Sequence, residues 1–103
     1  MLIPNTIEEF NVMKETGRKI LFFTADWCPD CVVIKPHMAS IEATFPDAEF
    51  VQLDRDQFID VCQEMNVFGI PSFIVLENGQ EKGRFVSKDR KTKEEIISFI
   101  QSV

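Results

Sequence analysis

The sequence predicts an α/β fold in which a central mixed sheet of four or five strands carries helices on both faces. Strand patterns and helix patterns alternate along the first part of the chain, as they do in βαβ units. Two further strand patterns are joined by Asn78-Gly79, the strongest short-range signal for an antiparallel hairpin. One sheet should therefore contain both parallel and antiparallel neighbours.

The composition is that of an ordinary globular domain. The chain has 103 residues, 45% hydrophobic and 27% charged, so we expect residues 1–103 to form a single domain. Its net charge is −6, and no Lys/Arg cluster lies near interleaved aromatic residues, so we expect no nucleic-acid partner. No apolar run is long enough to cross a bilayer, and the N-terminus lacks a signal-peptide pattern, so we expect no membrane partner and a cytoplasmic location.

Capping signals and periodicity predict the first helix and the first strand. Asn5 or Thr6 can cap a helix over about 7–16, which Gly17 would end. Residues 19–24 do not alternate between apolar and polar, which is typical of a strand buried on both faces. This strand is therefore expected in the centre of the sheet.

A long second helix is predicted to begin near Cys28 and to continue until Phe45, where Pro46 breaks the pattern. Pro36 lies inside this helix and should bend it, because proline lacks the backbone N–H and its ring clashes with the preceding turn. A second strand of the parallel type is predicted to follow at 49–54.

The rest of the chain is predicted to add a short helix over 57–65, the hairpin strands 72–77 and 80–86, and a final helix. Thr92 and Glu95 have the spacing of a capping box at the start of that last helix. Apolar residues follow at helical spacing, so the last helix should cover the sheet.

Cys28 and Cys31 are the candidate reactive residues. A pair at this spacing can be a redox couple, half of a metal site or a structural disulfide, and structural disulfides are rare in the cytosol. Because Pro29 suits the first helical position, unpaired amides and the positive end of the helix dipole should face the sulfur of Cys28. Such an environment favours the thiolate, which is the attacking species in disulfide exchange. Cys31 lies one helical turn deeper, as expected of a resolving thiol.

A metal site is a second interpretation of the pair, because this cysteine spacing also forms half of many zinc sites. His37 lies about 9 Å beyond Cys31 along a helix at about 1.5 Å per residue, too far to share one tetrahedral ion. Cys62 has no cysteine or histidine near it in the sequence and is expected to fill the core. We therefore expect no metal ligands within one chain, and a metal shared by two chains remains an alternative.

Asp30 lies between the two cysteines and should have two opposite effects. Near the helix N-terminus, its carboxylate gains about 0.3 to 1 kcal/mol from the helix dipole. Its negative charge also disfavours a thiolate at Cys28, by about 1 to 4 kcal/mol if the charges are roughly 4 Å apart. We therefore expect Asp30 to make Cys28 less acidic, and the dithiol more reducing, than a neutral residue would.

Taken together, these motifs resemble those of the thioredoxin family over almost the whole chain. The resemblance is carried by Trp-Cys-Pro-Asp-Cys at 27–31, the helix proline Pro36, Gly-Ile-Pro-Ser at 69–72 and the Asn78-Gly79 turn. It implies the thioredoxin fold and a thiol–disulfide oxidoreductase that reduces protein or small-molecule disulfides. It also implies a cis bond before one proline and a substrate-docking surface, which would comprise Trp27, Pro29, Asp30, Ile70 and Pro71.

The resemblance further implies the cofactor and the partners. The redox group would be the Cys28–Cys31 disulfide, with no other cofactor, serving cell redox homeostasis and electron transport. Disulfide-containing proteins or small thiols would be the substrates, and a thioredoxin reductase or a low-molecular-weight thiol would donate electrons to the chain, which is expected to be a monomer. The alternative is a binding module of the same fold whose thiols are incidental.

Three positions depart from the family pattern. Phe22 replaces a buried aspartate beneath the cysteines, and Gln52 replaces the lysine that faces it. We therefore expect either a bound water or a nearby acid, such as Asp26 or Asp30, to replace this acid–base group, or a slower step, because positioned acid–base groups are worth about 10² to 10⁴ in rate. Ser87 stands where the family often has glycine, so the docking rim should differ in shape.

Overall fold

The computed structural model describes the whole chain, Met1–Val103. Its four strands are β1 (Arg18–Thr24), β2 (Glu49–Asp54), β3 (Ser72–Glu77) and β4 (Gln80–Phe85). They form one sheet in the order β2-β1-β3-β4. The β1–β2 pair is parallel, whereas β1–β3 and β3–β4 are antiparallel. The sheet is therefore mixed, as predicted, and a single bridge between Leu2 and Val51 extends it beyond β2.

Five α-helices flank this sheet: α1 (Ile7–Met13), α2 (Pro29–Ile34), α3 (Met38–Thr44), α4 (Ile59–Glu64) and α5 (Lys93–Gln101). Buried side chains of α1 and α4 pack on one face of the sheet, and those of α2, α3 and α5 pack on the other. Helices therefore cover both faces of the sheet, as the sequence predicts. None of the helices has the length and apolar character needed to span a bilayer.

Strand β1 supplies the centre of both cores. Leu21 and Phe23 belong to the core on the α1/α4 side, whereas Ile20 and Phe22 belong to the core on the α2/α3/α5 side. All four side chains are fully buried. The apolar run without alternation is therefore explained, as predicted, by a strand that is covered on both faces.

The first helix is shorter than predicted, because it ends at Met13 and not near residue 16. Thr6 caps its start by accepting a hydrogen bond from the backbone of Glu9. Past the helix, Gly17 has a φ of +72°. Its N–H donates to Oδ1 of Asn78 at 2.9 Å, and its carbonyl accepts from the Asn78 N–H at 3.0 Å. The segment between α1 and β1 therefore contacts the hairpin turn through Gly17.

The predicted second helix is divided into two. A 3-10 turn at Lys35–His37 separates α2 from α3, and Pro36 lies within it. The sequence predicts one helix that bends at this proline, but the α-helix is interrupted there, because the tighter 3-10 turn replaces the α-helical hydrogen bonds.

Helix α4 is also shorter than the predicted range of 57–65. The carboxylate of Asp54 accepts hydrogen bonds from the backbone of Asp56 and Gln57, which holds the segment after β2 in a turn. Asn66 follows the helix with a φ of 58°, a left-handed conformation that ends it.

The last hairpin and the last helix follow their sequence signals closely. Asn78 and Gly79 have φ values of 51° and 84°, the left-handed pair that a two-residue hairpin turn requires. Strand β4 ends at Phe85, one residue earlier than predicted. Thr92 and Glu95 form both hydrogen bonds of the capping box that begins α5.

Candidate active site

Cys28 and Cys31 lie where β1 ends and α2 begins. Cys28 is the N-cap residue of α2, and Pro29 follows at the start of the helix. The Cys31 N–H donates to Sγ of Cys28 at 3.3 Å. One of the unpaired amides of the helix N-terminus therefore points at this sulfur, as the position of Pro29 predicts. Both cysteines are free thiols.

Both cysteines are buried, and Cys31 is the more deeply buried of the two. The exposed fraction is 6% for Cys28 and 1% for Cys31. Burial, with the hydrogen bond to Cys28, raises the pKa of the Cys31 thiol to about 11, although Ala25 and Thr24 act in the opposite direction. At neutral pH Cys31 is therefore protonated. Thr24 was not identified from the sequence as part of the site.

The Ile70–Pro71 peptide bond is cis, as the resemblance implies. Ile70 packs against the small buried cluster of Ala25, Cys28 and Cys31, and its carbonyl oxygen lies 3.9 Å from Sγ of Cys28. The hydroxyl of Ser72 donates to the carbonyl of Gly69 at 2.6 Å and so closes the turn that contains the cis bond. The structure thus brings Ile70 and Pro71 to the pair, although they are distant in sequence.

Trp27 lies on the surface beside the pair, with an exposed fraction of 60%. Its indole Nε1 donates to Oδ2 of Asp56 at 2.7 Å, and the guanidinium of Arg55 lies 5.7 Å from its ring centroid. Arg55 and Asp56 directly follow β2, the parallel neighbour of β1, so both strands deliver side chains to the same edge. These two residues were not predicted from the sequence, although their position directly after a parallel strand could have indicated them.

Asp30 is paired with a cation. Nε of Arg90, in the loop after β4, donates to its Oδ1 at 2.8 Å. The positive charge of Arg90 partly compensates the carboxylate that was expected to act on Cys28. Arg90 comes from the other end of the chain, and nothing in the local sequence indicates the pairing.

The layer beneath α2 is apolar, and we call it the floor of the site, formed by Phe22 and Phe73. These rings are fully buried and stacked, with centroids 5.1 Å apart and an angle of 12° between their planes. Gln52 is the partner of Phe22 in the β1–β2 register. Asp26 is exposed, and neither it nor Asp30 is among the groups that shift the pKa of Cys31. The floor therefore has no acidic residue.

Charged residues instead approach from the rim loop, Ser87–Lys91. The loop is in close contact with the turn that contains the cis bond: a Cβ added to Gly69 would lie 2.4 Å from the backbone carbon of Ser87. Ser72 also donates to the carbonyl of Ser87, at 3.3 Å. The backbone of Ser87 therefore packs against this turn, and Arg90 joins the same loop to α2; that serine in place of glycine changes the shape of the rim stays a prediction.

The remaining candidate ligands are dispersed. His37 is exposed on the 3-10 turn, and Cys62 is buried in α4 on the opposite side of the sheet. No group of three or more His, Cys, Asp or Glu side chains lies close enough to hold a metal ion.

The sequence model of the thioredoxin family matches residues 3–102. A thioredoxin H-type of Fagopyrum esculentum is 40% identical over 94 residues, which cover 90% of this chain and 78% of the relative. Mitochondrial thioredoxin-3 of Saccharomyces cerevisiae is 28% identical over 95 residues, covering 92% of this chain and 75% of the relative.

Solved structures agree with these matches. A thioredoxin from Nicotiana alata superimposes with a TM-score of 0.85 at 25% identity, covering 98% of this chain and 90% of that one. Oxidised mitochondrial thioredoxin 3 from Saccharomyces cerevisiae gives a TM-score of 0.83 at 25% identity, covering 100% and 95% of the two chains. Cys28 and Cys31 lie at the junction of β1 and α2, close to the turn that contains the cis proline. The chain therefore belongs to the thioredoxin family of thiol–disulfide oxidoreductases.

Proposed function

We propose that the chain reduces disulfides by dithiol–disulfide exchange, with Cys28 as the attacking thiol and Cys31 as the resolving thiol. The observation that carries these roles is the position of Cys28 at the N-cap of α2, with a backbone N–H directed at its sulfur. A thiolate formed there is stabilised by the helix terminus. Cys31 has a pKa raised to about 11 by its burial, so it does not compete for the first attack at neutral pH.

The reaction has two steps. Cys28 attacks one sulfur of the substrate disulfide, forms a mixed disulfide with it and releases the other sulfur as a thiolate. Cys31 then loses its proton and attacks Sγ of Cys28, which forms the Cys28–Cys31 bond and releases the second substrate thiolate. The protein dithiol loses two electrons and the substrate disulfide gains them, so no further cofactor takes part.

The docking surface would consist of the exposed face of Trp27 and the turn at Ile70 and Pro71, with Pro29 and Asp30 at its border. Phe68, with an exposed fraction of 77%, lies two residues before Ile70 and adds apolar area that was not predicted from the sequence. Large aromatic side chains favour an apolar partner segment. A disulfide in an extended part of a substrate protein, or a small disulfide, would fit this surface.

The electron donor would be a thioredoxin reductase or a low-molecular-weight thiol, as expected for a role in cell redox homeostasis. The cytoplasmic location stays a prediction, and two of the relatives are mitochondrial proteins. A monomeric state also stays a prediction.

Reduction of insulin in the presence of dithiothreitol tests these roles. Cys28→Ser should lower the rate to that of dithiothreitol alone, because no attacking thiol remains. Cys31→Ser should also lose turnover but should accumulate a mixed disulfide, which mass spectrometry under non-reducing conditions detects. The matched control is Cys62→Ala, which removes a thiol from the other core and should keep the wild-type rate. Continued turnover by Cys28→Ser would contradict the proposed mechanism.

A further inference from the structure

Positive charge is concentrated in the rim loop and in the residues that follow it. Residues 88–93 contain four of the eleven Lys and Arg residues of the chain, but only one of its seventeen Asp and Glu residues. This segment therefore has a net charge of +3, in a chain whose net charge is −6. No aromatic residue is interleaved with these cations, so the segment lacks the pattern of a nucleic-acid surface.

Lys88 lies directly beside the proposed docking surface. Its backbone nitrogen would be only 2.5 Å from a Cβ added to Gly69, the residue that precedes Ile70 and Pro71. Phe68, on the other side of Gly69 in the chain, is also exposed. Lys88 is itself exposed and takes part in none of the ion pairs of the chain. An unpaired cation therefore lies next to the apolar docking area.

The backbone of Lys88 is held in place by the buried neighbour Lys91. Lys91 has an exposed fraction of only 2%. Its Nζ donates to the carbonyl oxygens of Ser87 and Asp89 at 3.1 and 2.9 Å, and to Oγ of Ser87 at 3.0 Å. These contacts use all three donors of the ammonium group within the rim loop. Because Ser87 and Asp89 flank Lys88, the loop has a defined shape, while the ammonium of Lys88 stays available to a partner.

Arg90 adds a second exposed cation on the side of α2. Its side chain is 61% exposed, and its Nε donates to Oδ1 of Asp30 at 2.8 Å. The two terminal nitrogens of the guanidinium form no hydrogen bond within the chain and can still donate. Asp30 is the only acidic residue of the docking surface. Its pairing with Arg90 therefore leaves no free carboxylate on that surface to neutralise Lys88.

A groove between α2 and the start of α5 extends this positive surface. Arg90, Lys91 and Lys93 line the groove, and Glu94 is its only carboxylate. Its α2 wall is apolar and includes Val33, which is 55% or less exposed at 47%. An extended segment that follows α2 away from the cysteines would therefore pass mainly cations.

We propose that Lys88 and Arg90 are specificity-determining residues, which bind acidic side chains next to the disulfide of a peptide or protein substrate. This inference rests on the proposed function, because it names the class of disulfide that the same site would reduce. A substrate of this site must carry a disulfide, so the anions that reach the two cations are carboxylates of its own chain. Charges at the rim of an interface act mainly on the association rate and on its salt dependence.

Three synthetic peptides test this preference in the wild-type protein. Each contains the same internal disulfide and has one variable residue on either side of it, both Asp, both Asn or both Lys. The rate constant for a single turnover of the reduced protein is measured by acid quenching and chromatography of the peptide. At low ionic strength the Asp peptide should react about twofold to fivefold faster than the Asn peptide, and the Lys peptide should be the slowest.

Salt and net charge make this test decisive without any substitution. In 1 M NaCl, where charges are screened beyond about 3 Å, the rates for the three peptides should converge. A chain of net charge −6 without a local cationic site should instead prefer the Lys peptide. A wild-type protein that reduces the Lys peptide fastest at low ionic strength would overturn the proposal.

Substitutions of Lys88 locate the preference. The ratio of the Asp rate to the Asn rate should fall toward one in Lys88→Gln and below one in Lys88→Glu, and any general loss of activity cancels in this ratio. Lys82→Gln is the matched control, because it removes an exposed lysine of β4 nearer the hairpin turn and should keep the wild-type ratio. Equal ratios in Lys88→Gln and Lys82→Gln would overturn the role of Lys88. A wild-type protein that reduces none of the three peptides would overturn the proposed function.

Discussion

The floor and the rim loop border the same dithiol, yet they have opposite chemistry. The floor is two stacked phenylalanine rings, Phe22 and Phe73, with no charge. The rim loop brings the guanidinium of Arg90 to Asp30 and buries the ammonium of Lys91. The charges that could act on the cysteines in this chain therefore lie beside the pair and not beneath it.

Because of this difference, substitutions in the floor should mainly change the stability of the protein, and substitutions in the rim loop should mainly change the reactivity of the cysteines. Changes to the floor act on the packing of the core, where a buried carboxylate would be costly. Changes to the rim loop act on charges near the sulfurs and should alter rates more than stability. Substitutions in the two regions can test this division directly.

The largest effect is expected from Phe22→Asp, which places the acidic residue typical of the family in this floor. Loss of the ring alone should lower the free energy of unfolding by about 3 to 5 kcal/mol, and the buried carboxylate adds to that loss. Phe22→Leu is the control and should lose less stability than Phe22→Asp, because it removes part of the packing but keeps an apolar side chain. Urea denaturation of the reduced protein measures both, and a Phe22→Asp variant of wild-type stability would show that the floor accepts charge.

An intermediate effect is expected from Gly69→Ala, which separates the rim loop from the turn with the cis bond. The added Cβ would lie 2.4 Å from the backbone carbon of Ser87, so the backbone must shift. Such overpacking costs about 1 to 3 kcal/mol, and the rate of insulin reduction should fall as well.

Gly83→Ala is the matched control for this substitution. Its new Cβ would lie 2.5 Å from Cγ1 of Val103, a side chain at the end of the chain that can move away. Its loss of stability should therefore be smaller than that of Gly69→Ala. Equal losses in the two variants would contradict the close packing of the rim loop against Gly69.

The smallest effects are expected at the Asp30–Arg90 pair. Asp30→Asn removes a negative charge near Cys28 and should speed its alkylation below neutral pH, whereas Arg90→Gln should slow it. Exposed ion pairs are worth about 0.2 to 1 kcal/mol, so each change should stay within about fivefold. The double variant should lie near the wild type, because both charges are absent. A slower Asp30→Asn variant would show that Asp30 does not oppose the thiolate.

The sequence predicted those parts of the fold that depend on residues close together in the chain. Strands β2 and β3 have the predicted bounds, and the capping box of α5 forms as its spacing indicates. The end of α1 was not predictable, since Gly17 contacts Asn78, which is 61 residues away. Pro36 indicated where the second helix would be disturbed. The local sequence does not determine whether a proline bends a helix or divides it.

The two cysteines of the site could be predicted from the sequence, but the charged groups around them could not. Cys28, Pro29 and Cys31 form one local motif, and the family resemblance supplied Ile70 and Pro71. Arg90 reaches Asp30 across 60 residues of sequence. An exposed lysine and a buried one look alike in sequence, and only the folded rim loop distinguishes Lys88 from Lys91.

Cys62 determines how many covalent forms the chain can take. Three cysteines allow three different pairings, but Cys62 is only 1% exposed and packs with Phe10, Phe58 and the other core residues on the α1/α4 side. The other two cysteines pack together, apart from this core. Oxidation without unfolding should therefore give a single disulfide isomer. A disulfide between Cys62 and either of the other cysteines would then form only in a molecule that has unfolded. The thiol of Cys62 can therefore report whether the protein was folded when it was oxidised.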